Sequence, residues 1–190
     1  MARWEPNARE RLVLAALDLF GEQGYESTTV IQIAQRAGLT KTTFFRHFPD
    51  KREVLFAGQE IHGRLLAEGI AAVSDSATPL EAVAAGLDTV TASFTPTQRE
   101  FGPRLREVIA ANPELRERAA FKHAGLATAI TEALHARGIP EPTASLAAEL
   151  GVRAFENAYE RWIDPANDHP LPALARRELE ALKTAAAALE

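Results

Sequence analysis

Residues 38–51 read Gly-Leu-Thr-Lys-Thr-Thr-Phe-Phe-Arg-His-Phe-Pro-Asp-Lys, GLTKTTFFRHFPDK. Gly38 is suited to ending one helix, and Thr40 can cap the next by accepting from a backbone N–H in its first turn. A helix from Thr40 to near Phe48 places Phe44 and Phe48 four residues apart on one face, where they can pack on Val30, Ile33, Ala34 and Leu39. Thr40, Lys41, Thr42 and Thr43 then occupy the first turn, and Phe45, Arg46 and His47 the rest of the exposed surface. Between residues 36 and 52, Arg36, Lys41, Arg46, Lys51 and Arg52 face a single acid, Asp50. One short segment therefore joins an apolar anchor to a basic, small-sided outer face.

The residues upstream give that segment a partner. Thr29-Val-Ile-Gln32 is a capping box that opens a helix ending before Gly38. Two short helices joined at Gly38-Leu39-Thr40 have the length of a helix-turn-helix, whose second helix lies in a DNA major groove with its first residues at base edges. There, lysine can donate to guanine, and threonine can meet a thymine methyl or a polar base edge. Arg46 and His47 are within reach of phosphate, and Lys51 can hold neighbouring backbone. A first helix from about Asn7 to Gln23, with the stripe Leu12, Ala15, Ala16, Leu19 and Phe20, completes the unit. Capped helix pairs also occur in plain helical bundles, so geometry alone leaves both readings open.

The same residues carry a family resemblance. LVLAALDLFGEQGYESTTVIQIAQRAGLTKTTFFRHFPDKREVLF is similar over its whole length to the DNA-binding domain of tetracycline-repressor (TetR) family regulators. It shares the A-A-x-x-L-F-x-x-x-G-Y segment, the T-T-V-x-x-I-A-x-x-A-G helix and the aromatic-R-H-F-x-x-K ending. The resemblance implies a homodimer that binds a partly palindromic double-stranded operator, usually as a repressor released by a small apolar effector. It implies base reading by Thr40, Lys41, Thr42 and Thr43, and backbone contacts by Phe45, His47 and Lys51; Arg46 and Thr29 are counted as further backbone contacts. Two departures stand out: Phe45 replaces a tyrosine whose hydroxyl meets phosphate in many members, and Thr42 replaces the more usual glycine.

Beyond this stretch the chain reads as all-α, with period-3.6 patterns throughout and no strict alternation. The expected architecture is an N-terminal three-helix, homeodomain-like helix-turn-helix domain over residues 1–50. A larger helical ligand-binding and dimerisation domain follows over 51–190, giving about nine helices in all. Asp50-Lys-Arg-Glu53 reads as a capping box that starts a fourth helix, 51–73, joining the two parts. Thr78-Pro-Leu-Glu81, Thr95-Pro-Thr-Gln98 and Asn112-Pro113 open further helices. The spacing predicts helices over 79–93, 96–110, 113–137, 143–163 and 172–188.

Helix 143–163 carries two stripes. Ala148, Val152, Phe155, Tyr159 and Trp162 are bulky and suit an internal core. Ala147, Gly151, Ala154 and Ala158 are small and suit close approach of a second copy, with Leu174, Leu179 and Leu182 alongside. In the family, the last two helices resemble this arrangement and form a four-helix dimer interface. For a ligand pocket, the candidates are Phe94, Phe101, Phe121, His123, His62 and Asn157, apolar walls with a few polar anchors.

Composition narrows the alternatives. The chain has 190 residues, a formal charge of -5 and no cysteine, which removes disulfides, thiolate metal sites and a cysteine nucleophile. The acidity lies after Phe56, with thirteen Lys/Arg against nineteen Asp/Glu; up to Phe56 there are eight against seven. No run of eighteen apolar residues and no secretory pattern at the start point to membrane or export, so a cytoplasmic location is the expectation. Glu132-Ala-Leu-His135 is a lone Glu-x-x-His where di-metal bundles need two, and no phosphate-loop, metalloprotease or nucleophile-elbow motif occurs. Neither an enzyme nor a metal or cofactor is expected. The competing reading is a helix-turn-helix regulator whose C-terminal domain only dimerises or binds a protein partner, with no small-molecule effector.

Overall fold

The computed structural model describes residues 7–56 and 58–189. Among these, the chain forms nine α-helices and no strand: α1 (Ala8–Gln23), α2 (Val30–Arg36), α3 (Lys41–His47), α4 (Gln59–Ala72), α5 (Pro79–Thr91), α6 (Pro96–Ala111), α7 (Pro113–Ala136), α8 (Glu141–Trp162) and α9 (Leu171–Ala187). The all-α reading and the helix count expected from the sequence are both met. Two compact units result, one built from residues up to Gly58 with Phe101–Ala119, the other from Gln59–Glu100 and Ala120 onward.

In the first unit, local chemistry sets the helix ends. Thr29 and Gln32 form a reciprocal capping box, the Thr29 N–H donating to Gln32 Oε1 at 2.8 Å. Gly38 adopts φ +66°, a left-handed conformation that glycine takes without the Cβ penalty. It lets the Leu39 N–H return to the Ala34 carbonyl at 2.8 Å, while the Arg11 guanidinium donates to the Ala37 carbonyl. Leu12, Ala16 and Leu17 of α1, Ile33 of α2 and Phe44 of α3 are fully enclosed, with Phe48 and Val54–Phe56 beside them. Phe44 and Phe48 are thus the anchor expected of them; each contributes roughly 1.5–3 kcal/mol by burial.

The expected fourth helix over 51–73 is divided. Arg52–Phe56 is a 3-10 turn, and α4 starts only at Gln59. Gly58 between them has φ +96°, which an α-helix does not carry. Asp50 supplies half of a capping box, its Oδ1 accepting from the N–H groups of Arg52 (2.8 Å) and Glu53 (3.1 Å). The Glu53 carboxylate is instead held by Arg118 at 2.5 Å. Because Val54, Leu55 and Phe56 bury their side chains in the first unit's core, that unit extends past the boundary at residue 50 drawn from sequence.

In the second unit, full capping boxes start α5 at Thr78/Glu81, and Thr95/Gln98 pair in the same way before α6. Arg137 closes the end of α4, donating to the carbonyls of Ile70 (3.3 Å), Val73 (3.0 Å) and Ser74 (2.6 Å). Helices α4 and α5 approach at glycines: a Cβ on Gly69 would stand 2.6 Å from the Ala85 carbonyl oxygen, and one on Gly86 2.8 Å from that of Leu66.

The small-sided stripe of α8 requires a correction. Ala147, Gly151, Ala154 and Ala158 are buried inside the chain, as are Leu174 and Leu179, with Leu182 packed against the same core. A Cβ on Gly151 would stand 2.6 Å from Val83 Cγ1 of α5 and 3.5 Å from Ile130 Cδ1 of α7. Close approach is the use of the stripe, but the approaching helices belong to the same chain. The bulky stripe is internal as expected, with Ala148, Val152 and Trp162 buried.

Candidate nucleic-acid interface and effector site

Helix α3 is short, and its outward face follows from its anchor. With Phe44 and Phe48 directed into the core, Lys41, Thr42, Phe45 and Arg46 are exposed, and Thr43 and His47 half-buried. Thr40 spends its hydroxyl on the cap, accepting from the Thr43 N–H at 3.1 Å, and the two threonine hydroxyls lie 3.0 Å apart. Thr29 is similarly engaged: its hydroxyl donates to Gln32 Oε1 at 2.9 Å. Lys41 and Thr42 are therefore the freer of the expected base readers, and Thr40 and Thr43 the ones fixed by local bonds.

The basic patch is selective about which charges it leaves available. Arg36 is bound to Glu22 by two bonds of 2.9 and 2.7 Å, and Arg52 to Asp50 at 2.9 Å and Glu114 at 3.4 Å. Lys51 donates to the Tyr25 carbonyl at 2.7 Å, its ammonium 4.0 Å from the Tyr25 ring centroid. Lys41 and Arg46 meet no carboxylate among the described residues. Of five cations between residues 36 and 52, the two left unpaired both sit on the exposed face of α3.

Arg9 adds a third, and the sequence reading missed it. It lies in the first turn of α1, its guanidinium carbon 5.6 Å from the centroid of the Phe48 ring. A cation at the N-terminal end of a helix opposes the helix dipole, which is the one signal that marked it as unusual. Its charge and that of Arg46 both act on His47, whose Nε2 is buried and has no hydrogen-bond partner among the described residues. Burial first, then the Arg46 and Arg9 charges, holds the His47 imidazole below the usual histidine range and favours its neutral form.

Lys51 illustrates how tertiary contact can redirect a charge. Sequence assigned it to phosphate; the fold gives it a hydrogen bond and a ring contact that join the α1–α2 loop to the segment after α3. Lys51→Ala is expected to lower stability by about 1–2 kcal/mol, the size of a partly exposed charged hydrogen bond with a cation–π contact. Urea unfolding of the variant beside wild type checks this; coincident curves would return Lys51 to a purely surface role.

In the second unit, His62 of α4 stacks on Phe94 with ring centroids 4.9 Å apart, and Phe94 in turn meets Phe155, Tyr159 and Trp162 at 5.7–5.9 Å. Burial pushes the His62 imidazole down to about 4 and the Tyr159 hydroxyl up to about 12, so both are neutral near pH 7. Neither meets a hydrogen-bond partner among the described residues. Of the other residues expected to line a pocket, Phe101 packs against the first unit's core and Phe121 is 66% exposed. His123 Nδ1 lies 2.6 Å from Glu156, and Asn157 donates to Glu178 at 3.3 Å. Of the six, His62 and Phe94 are in direct ring contact.

With this geometry in hand, the comparisons are specific. Residues 12–57 match the family model described as bacterial regulatory proteins, tetR family. The HTH-type transcriptional regulator TcmR of Streptomyces glaucescens is 54% identical over 46 residues, 24% of this chain and 20% of that protein. Among solved structures, FadR from Bacillus subtilis in complex with stearoyl-CoA aligns with a TM-score of 0.54 at 21% identity, over 91% of this chain and 96% of that one. A SmeT–triclosan complex aligns with a TM-score of 0.57 at 20% identity, over 94% and 90%; SmeT is the repressor of the Stenotrophomonas maltophilia multidrug efflux pump SmeDEF. Residues 12–57 are a helix-turn-helix domain of the tetR family, and the chain as a whole shares the fold of these regulators. The curated relatives first in rank are matched over a fifth to two fifths of their own lengths.

Proposed function

We propose that this chain is a DNA-binding transcriptional regulator, a homodimeric repressor that reads a partly palindromic operator through α3 and is released by a small apolar effector. The observation that carries the reading is the pair of unpaired cations, Lys41 and Arg46, on the exposed face of the helix-turn-helix. Lys41 meets a base edge from the first turn, with Thr42 beside it. Arg46 and Arg9, at the other end of α3, hold phosphates, and His47 stands between them. Phosphate contacts supply affinity and register, and base-edge contacts supply sequence preference.

Selection from a randomised duplex library tests the reading, with recovery of one enriched sequence as the expected result. On that duplex, Lys41→Ala is expected to weaken binding by about 1–3 kcal/mol, the worth of a good bidentate base contact. Fluorescence anisotropy measures it, and equal affinity for variant and wild type would remove Lys41 from the reading.

For the second copy, the support is a groove of about 630 Å³ between α5, α8 and α9, lined by Leu80, Ala84 and Leu150. Leu146, 58% exposed, stands at its edge. A two-fold contact can set that leucine of one copy into the groove of the other, the self-complementarity an isologous interface needs. For the effector, the support is the aromatic cluster around Phe94, with two neutral polar groups, His62 and Tyr159, able to orient a ligand. Stearoyl-CoA and triclosan are the ligands of the FadR and SmeT complexes, and an apolar effector here is consistent with such walls. Effector binding would change the separation of the two reading heads from the spacing of successive major grooves, about 34–36 Å.

A further inference from the structure

Phe45 lies on the exposed face of α3 with 46% of its surface open to solvent, where the other exposed residues are Lys41, Thr42 and Arg46. Phe44 holds it edge-on, with ring centroids 5.5 Å apart at 82°. Lys41 Nζ stands 5.8 Å from its ring centroid, within cation–π range. The face thus combines unpaired positive charge, suited to a polyanion, with one rigid apolar plate. In a major groove, the apolar feature that projects toward a protein is the C5-methyl group of thymine. A phenyl ring makes no hydrogen bond to phosphate, so its useful contact on DNA is this methyl.

Building on the DNA-binding reading above, we propose that Phe45 is a specificity-determining residue that contacts a thymine methyl in each operator half-site, within two base pairs of the base met by Lys41. The distance limit follows from the 5.8 Å between Lys41 Nζ and the ring centroid, which is less than two base steps of about 3.4 Å each. Phe45 also acts as a wall for the Lys41 side chain, so the lysine and the phenyl ring read as a unit.

The test removes the methyl and nothing else. The duplex enriched from a random library by the full chain is resynthesised with deoxyuridine in place of thymine, one position at a time, and titrated by anisotropy. For wild type, one thymine per half-site is expected to show a loss of about fourfold when its methyl is removed, the worth of one buried carbon. Phe45→Ala, with an unchanged melting curve, is expected to bind the thymine and deoxyuridine duplexes equally at that position. Wild-type indifference to every methyl group overturns the inference, and so does a methyl effect that persists undiminished in Phe45→Ala. If no duplex is enriched at all, the DNA-binding reading fails and this inference falls with it.

Discussion

Gly69→Leu is expected to destabilise the protein by at least about 3 kcal/mol, and Gly69→Ala to destabilise it as well, despite alanine's better helix propensity. The propensity gain is about 1 kcal/mol. Against it stands the crossing of α4 and α5: a Cβ on Gly69 would lie 2.5 Å from Thr89 Oγ1, 2.6 Å from the Ala85 carbonyl oxygen and 2.7 Å from Gly86 Cα. Two of these three atoms belong to backbone, so relief requires the helices to part and the core around Leu66, Ile70 and Val83 to open. Overpacking typically costs about 1–3 kcal/mol, and leucine adds three further carbons to an already closed site. Gly125 in α7 is the matched control. A Cβ there meets nothing within 4 Å, so Gly125→Ala is expected to be neutral or to stabilise by up to about 1 kcal/mol. Urea unfolding of the three variants decides the matter, and equal effects at Gly69 and Gly125 would contradict the packing described.

The second large effect is a dependence of stability on pH. His62 is pushed down to about 4 by burial, from an ordinary value of about 6.5 in the unfolded chain. Above pH 6.5 it is neutral in both states, and its linkage contribution to stability is fully retained. As the pH falls from 6.5 to 4, the unfolded chain takes up a proton that the folded chain refuses, and stability is lost through that window. With partial exposure discounted, the loss is on the order of 2–3 kcal/mol. His62→Phe keeps a flat ring against Phe94 and removes the titration. Wild type is therefore expected to lose that much more stability than His62→Phe between pH 7 and pH 4, read from urea unfolding at several pH values. Parallel losses in the two proteins would mean that the imidazole is hydrated in the folded state.

Both effects belong to the second unit, which was the less legible part of the sequence. Helix starts were readable because their chemistry is local: Thr29 with Gln32, Thr78 with Glu81 and Thr95 with Gln98 each close within three residues. The anchor and the outer face of α3 were readable for the same reason, since four-residue spacing determines which side chains share a face. Errors arose where a distant partner decided the outcome. The Glu53 carboxylate pairs with Arg118, 65 residues away in sequence, rather than with the Asp50 backbone N–H, and the expected fourth helix gives way to a tight turn and Gly58. Lys51 finds Tyr25, 26 residues earlier, which a count of local charge cannot reveal. The Gly/Ala stripe of α8 signals a close helix approach without naming the helix, and α5 of the same chain takes the place expected for a second copy. Arg9 joins the candidate interface only because α1 folds its first turn onto Phe48.

In the function proposed above, the exposed face of α3 reads DNA. Footprinting of the full chain on genomic DNA of its source organism tests this most directly, with wild type and a Lys41→Ala/Arg46→Ala variant compared at the same salt concentration. The expected result is a small set of protected sites with partly palindromic half-sites about 34–36 Å apart, or a multiple of that spacing, all lost in the variant. No protected site for wild type, or protection that survives both substitutions, would contradict it.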